Sequence, residues 1–218
     1  MENPEKMLND DIRGQLKGVL DGMVNPVTIE FFGTDGEELV AETKKFLTEI
    51  GEIAEKVAVS FNTLPQDQAK ADELGIELVP GFALLDSQGN NPGIQFYGLP
   101  GGHEVNSFIY ALMAVSGTKE DLPEAVLEEV RNFKQDINMK VFVTLSCPHC
   151  PGAVSKAHRL AMENPHIKAE MIDANLFPEL SDKHNVSSVP KIVFNDGADL
   201  GGNQHIESFL NIMRTTQN

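Results

Sequence analysis

Hydrophobic positions along this chain follow two alternating periods. Ile12, Leu16, Val19, Leu20 and Met23 recur at helical spacing, and Val27–Phe32 follows as a strand-like run. Phe46, Ile50, Ile53 and Val57 mark one face of a long helix. An extended segment, Ala58–Asn62, and a short polar helix lead to Val79-Pro80. A strand, Phe82–Leu85, then meets the turn residues Asp86-Ser87-Gln88-Gly89, and a closing helix carries Ser107-Phe108.

The same order then repeats. Leu122, Val126, Val130 and Phe133 form a helical stripe, and Lys140–Leu145 reads as a strand. Ala153, Val154, Ala157, Leu160 and Ala161 mark the next helix, and Lys168–Asp173 the next extended segment. Val189-Pro190 precedes the strand Lys191–Phe194 and the turn Asn195-Asp196-Gly197. The last helix carries Ser208-Phe209. Pro190 lies 110 positions after Pro80, whereas the Ser-Phe pairs lie 101 apart, so the second copy is shorter after its proline. Each copy reads α-β-α-β-α-β-β-α. A period this long predicts two domains, not a solenoid. The seam is predicted at Ser116–Leu122, with Gly117 ending one helix and Asp121 capping the next. That gives residues 1–118 and 119–218 as the two units. The fold class is α/β, with mixed central sheets flanked by helices.

Charge narrows the function. The chain has 218 residues, 17 Lys and Arg against 33 Asp and Glu, and a formal net charge of −16. So acidic a surface repels nucleic-acid backbones and anionic membranes. Met1–Asp10 is polar and acidic, with no signal-peptide pattern, and no apolar run is long enough to cross a membrane. The expected location is cytoplasmic. Two cysteines exclude a disulfide scaffold and an all-cysteine zinc site.

Those cysteines stand in Ser146-Cys147-Pro148-His149-Cys150-Pro151, between a strand and a helix. In that setting a C-x-x-C pair reads as a thioredoxin-like redox dithiol. Cys147 is expected at or near the helix N-cap, where free N–H groups and the helix dipole favour a thiolate. Pro148 is tolerated in the first turn. Cys147 is then the nucleophile and Cys150 the more buried resolving thiol. A protonated His149 imidazole would further stabilise the Cys147 thiolate and make the disulfide more oxidising. A metal reading needs further ligands. His158 is the nearest spare histidine, with the solvated face of its helix as its other reading.

The chain resembles the protein disulfide oxidoreductases built from two fused thioredoxin/glutaredoxin folds, and equally the two-fold N-terminal domain of the alkyl hydroperoxide reductase flavoprotein. The matching segments are Met23-Val24-Asn25-Pro26-Val27, Phe96-Tyr97-Gly98-Leu99-Pro100, Gly102-His103-Glu104, Thr144–Pro151 and Ser188-Val189-Pro190-Lys191. The resemblance implies that the two folds join into one extended sheet. It implies that Pro190 is a cis-proline facing the dithiol. Val189 would offer backbone groups to a substrate strand, with Ser146 beside them. It also implies that Glu104, from the first half, lies near the dithiol and handles a proton there. The plainer reading of Glu104 is a first-turn helix acid. The first half departs from the pattern, since Gly33-Thr34-Asp35-Gly36-Glu37-Glu38 stands where a dithiol would follow the strand. Pro80 is then a fold relic or part of a partner-docking groove. Leu200-Gly201-Gly202-Asn203-Gln204 partly matches a glutathione-binding turn, and a plain turn is the simpler reading.

The expected function is reduction of protein disulfides through Cys147 and Cys150. By resemblance, a thioredoxin-reductase-like flavoprotein supplies the electrons, and a peroxiredoxin is among the acceptors. NADPH or NADH would act only through that flavoprotein, with no cofactor bound to this chain. The alternatives are a dithiol oxidase that forms disulfides, and a non-catalytic redox-sensing or docking module.

Overall fold

A computed structural model of the chain describes residues 6–217. The polar stretch Met1–Glu5 lies outside the described residues. The first half runs α1 (Asp10–Leu20), β1 (Val27–Gly33), α2 (Glu38–Ile53), β2 (Val57–Thr63), α3 (Gln68–Leu74), β3 (Gly81–Leu85) and β4 (Ile94–Tyr97). A 3-10 turn at Gly102–Glu104 then feeds α4 (Val105–Ser116). The second half runs α5 (Glu124–Asn132), β5 (Ile137–Val143), α6 (Cys150–Ala161), β6 (Ile167–Asp173), α7 (Pro178–Lys183), β7 (Lys191–Phe194), β8 (Asp199–Gly201) and α8 (Ile206–Thr215). Val27–Gly33 and Ile137–Val143 are equal in length and 110 positions apart, as are Val57–Thr63 and Ile167–Asp173.

All eight strands form one mixed sheet in the order β2-β1-β3-β4-β6-β5-β7-β8. The two halves therefore share an extended sheet. They join where β4 pairs parallel with β6, Ile94 opposite Ala169 and Tyr97 opposite Ile172. Ala169 N–H also donates to the Gly93 carbonyl at 2.8 Å. One face packs under α2, α4, α6 and α8, with Leu47, Phe108, Val154 and Phe209 in its core. The other packs under α3 and α7 around Phe32, Tyr97 and Phe142. Strands covered on both faces read as near-continuous apolar runs, which explains why β1 and β5 are visible in the sequence.

The predicted Asp121 cap is not made. α5 begins at Glu124 with Pro123 as its N-cap, and Val126 N–H donates to the Pro123 carbonyl. Proline lacks only an N–H that a helix start leaves unused, so it displaces the earlier aspartate from this role.

His158 is also corrected. It is fully buried on α6, not on a solvated face, because α6 is clamped between the sheet and α4. Its ring meets Phe96 edge-on at 4.8 Å between centroids, and neither nitrogen makes a hydrogen bond among the described residues. Burial lowers its pKa to about 3. The unfolded chain takes up a proton near 6.5 and the folded one only near 3. This group's contribution to stability is thus full above pH 6.5 and falls as pH drops toward 3, by up to roughly 4 kcal/mol. His158→Leu is expected to remove it. In urea unfolding the variant should gain roughly 3 kcal/mol on the parent chain at about pH 4, relative to their difference at about pH 7, and an unchanged difference would refute the assignment.

Candidate active site

The dithiol sits at the C-terminal end of β5. Thr144–His149 turns the chain, with Cys147 N–H donating to the Thr144 carbonyl at 3.0 Å, and α6 then starts at Cys150. Cys147 and Cys150 form a disulfide, Cα to Cα 5.5 Å. Cys150 is wholly inaccessible, whereas Cys147 keeps 9% of its surface exposed. Ser146, Pro148 and His149 around it are exposed.

Cys147 lies near the helix start but not at the N-cap. The N-cap of α6 is His149, so Cys147 lies two residues outside it. A residue before proline is driven away from helical geometry, and Cys147 precedes Pro148. Cys150 itself occupies the first helical position, closest to the free N–H groups of the first turn.

Across from the dithiol stands the turn before β7. The Val189–Pro190 peptide is cis, and the Val189 carbonyl lies 3.9 Å from Cys147 Sγ. Neither the N–H nor the C=O of Val189 pairs with another backbone group among the described residues. The Pro190 carbonyl accepts from Gly202 N–H at 2.8 Å, which ties the Gly201–Gln204 turn to this wall. The same turn leans on α6. Asn203 packs against Gly152 with no room for a Cβ, and Lys156 Nζ donates to Asn203 Oδ1 at 2.5 Å.

Glu104 comes from the first half. Its 3-10 turn packs against α6, and His103 N–H donates to the Leu145 carbonyl at 2.9 Å, two residues before Cys147. Gly102 has φ +54° and lies so close to the Leu145 carbonyl that any side chain there would collide. The Glu104 side chain is fully buried and caps no helix. Its Oε2 accepts from Ser107 Oγ, and its Oε1 has no partner among the described residues. Burial, with the Asp173 carboxylate adding to it, raises its pKa to about 7. Asp173 ends β6 opposite Val143, and burial raises its pKa too. Sequence reasoning does not single out Ser107 or Asp173 for the site. Ser107 stands three residues after Glu104, a helical spacing that brings side chains together, whereas the role of Asp173 depends on strand pairing alone. Among the described residues no three His, Cys, Asp or Glu side chains cluster in a way that could hold a metal.

A thioredoxin-domain family model matches residues 137–213. The alkyl hydroperoxide reductase protein AhpF of Staphylococcus aureus is 30% identical over 212 residues, covering 96% of this chain and 38% of that protein. A solved structure of AhpF from Enterococcus faecalis overlays with a TM-score of 0.90 at 31% identity, covering 95% of this chain and 100% of that one. The chain belongs to the AhpF N-terminal-domain family of two-fold thioredoxin-like proteins. A protein disulfide oxidoreductase from Aeropyrum pernix overlays at a TM-score of 0.89 and 28% identity, covering 99% of this chain and 97% of that one. This member of the family spans 38% of the length of the curated relatives it matches. It has a thiol–disulfide oxidoreductase fold with the disulfide in its second half only. No helix among the described residues is long and apolar enough to cross a membrane.

Proposed function

We propose that this chain is the disulfide-reducing module of a peroxide-reducing system. Electrons come from a thioredoxin-reductase-like flavoprotein unit that draws on NADPH or NADH, and pass to protein disulfides such as that of a peroxiredoxin. The site is assigned to a reducing, cytoplasmic setting. The observation that carries the reading is the asymmetric Cys147–Cys150 pair, one sulfur buried and one at the surface beside the unpaired backbone of Val189.

The reaction runs from the reduced dithiol. The Cys147 thiolate attacks one sulfur of the substrate disulfide, breaks the S–S bond and releases the other substrate sulfur as a thiolate, which takes up a proton. The substrate strand is held against the Val189 N–H and C=O, next to Ser146. Cys150 then loses its proton, for which Glu104 is the proposed acceptor, and attacks Cys147 Sγ. The mixed disulfide breaks, and the second substrate sulfur leaves as a thiolate that takes the proton held by Glu104. Two electrons have moved to the substrate with two protons, one from solvent and one from Cys150, and Cys147–Cys150 is again a disulfide. Pro148 and His149 set the potential of that bond from within the turn.

The equilibrium potential of the dithiol in thiol redox buffers, read by alkylation mass shift, tests the direction. A value of about −270 to −200 mV supports the reductase. A value near about −120 mV supports a disulfide-forming oxidase instead. Absence of any turnover on insulin or peroxiredoxin disulfides would leave a sensing module.

A further inference from the structure

We propose that the cysteine-free first half is a docking groove for an extended partner segment bearing Lys or Arg side chains. The duplication keeps the groove and changes only its chemistry. Gly33 and Val143 end the equivalent strands β1 and β5. Counting on from them, Glu37 occupies the position of Cys147, and Val40 that of Cys150. Val40 is as deeply buried as the cysteine it matches, at 2% exposure against 0%. The strand partners also match. Phe32 pairs with Gly81, and Phe142 with Lys191. By this register the turn at Asp35–Glu38 and Val79-Pro80 are the counterparts of the dithiol turn and Val189-Pro190. The carbonyl of Pro80 accepts from Gly98 N–H at 2.9 Å, as that of Pro190 accepts from Gly202.

Neither the N–H nor the C=O of Val79 makes a hydrogen bond among the described residues. Beside the turn lies a cavity of about 280 Å³ lined by Asp35, Glu37, Glu38, Val40 and Lys44. Asp35, Glu37 and Glu38 are exposed, and Lys44 is the single cation of the lining, 3.4 Å from Asp35. An extended peptide can add to the Val79 backbone while alternate side chains reach the rim. Three carboxylates against one ammonium select basic side chains there. With a glutamate and a valine in place of two thiols, the groove can hold a segment without exchanging with it.

The test uses the full chain in its oxidised state, with an acetylated, amidated heptapeptide alternating valine and lysine as probe. Amide NMR shifts are expected to move at Gly33–Glu38 and Val79. The double variant Glu37→Gln/Glu38→Gln is expected to weaken binding about tenfold, while dithiol potential and disulfide turnover stay unchanged. A peptide alternating valine and glutamate is expected not to bind. Shifts confined to Ser187–Val189, binding unaffected by the double variant, or no binding at millimolar peptide would each overturn the proposal. The reductase assignment is read separately by turnover.

Discussion

Cys147→Ser is expected to lower turnover of a disulfide substrate by at least about 10³-fold and to abolish the mixed disulfide. Cys150→Ser is expected to stop turnover as well, yet to accumulate that mixed disulfide. The contrast follows from placement. Only Cys147 has surface that a substrate sulfur can reach, and it faces the free backbone of Val189. Cys150 has none, so its attack is confined to Cys147 Sγ. Intact-mass spectrometry after mixing each variant, reduced, with a disulfide peptide reads the adduct directly. An adduct formed through Cys150 in the Cys147→Ser chain would reverse the assigned roles.

The duplication is legible because it is written in buried strands. β1 and β5 lie under helices on both faces, and their largely apolar runs survive in the sequence at constant spacing. The dithiol is legible because strand, turn and helix flank it. The joint between the halves is harder to read. β4 has only four residues, and its pairing with β6 depends on contacts far apart in the chain. Local rules also misplace particular residues. Asp121 is a good cap in isolation and yields to Pro123. His158 stands four residues after Val154 and three before Ala161, so helical spacing places it on the buried face, and only its polarity suggests a solvated one. Asp173 closes β6 and becomes relevant only when β6 lies beside β5, which a linear reading cannot supply.

Glu104→Gln is expected to make the protein more stable and less active at the same pH. The sign of the stability change follows from burial. The folded carboxyl titrates at about 7, against an ordinary value of 4.5 for a glutamate in water. Between these values the folded chain holds a proton that the unfolded chain releases. The contribution of Glu104 to stability therefore falls as pH rises through this window, by on the order of 3 kcal/mol, and the loss is complete above about pH 7. Glutamine does not titrate. At about pH 8 the variant should exceed the parent by about 2–3 kcal/mol in urea unfolding, and below about pH 4.5 the two should agree within about 1 kcal/mol. Turnover should move the other way. Without a carboxylate to take the Cys150 proton, resolution of the mixed disulfide should slow by about 10²-fold, and the inflection near about pH 7 should vanish from the pH–rate profile. A purely packing role predicts destabilisation at every pH and an unchanged profile. Opposite movements of stability and rate therefore separate a proton-handling Glu104 from a structural one, and a variant destabilised at about pH 8 with its inflection intact would refute the assignment.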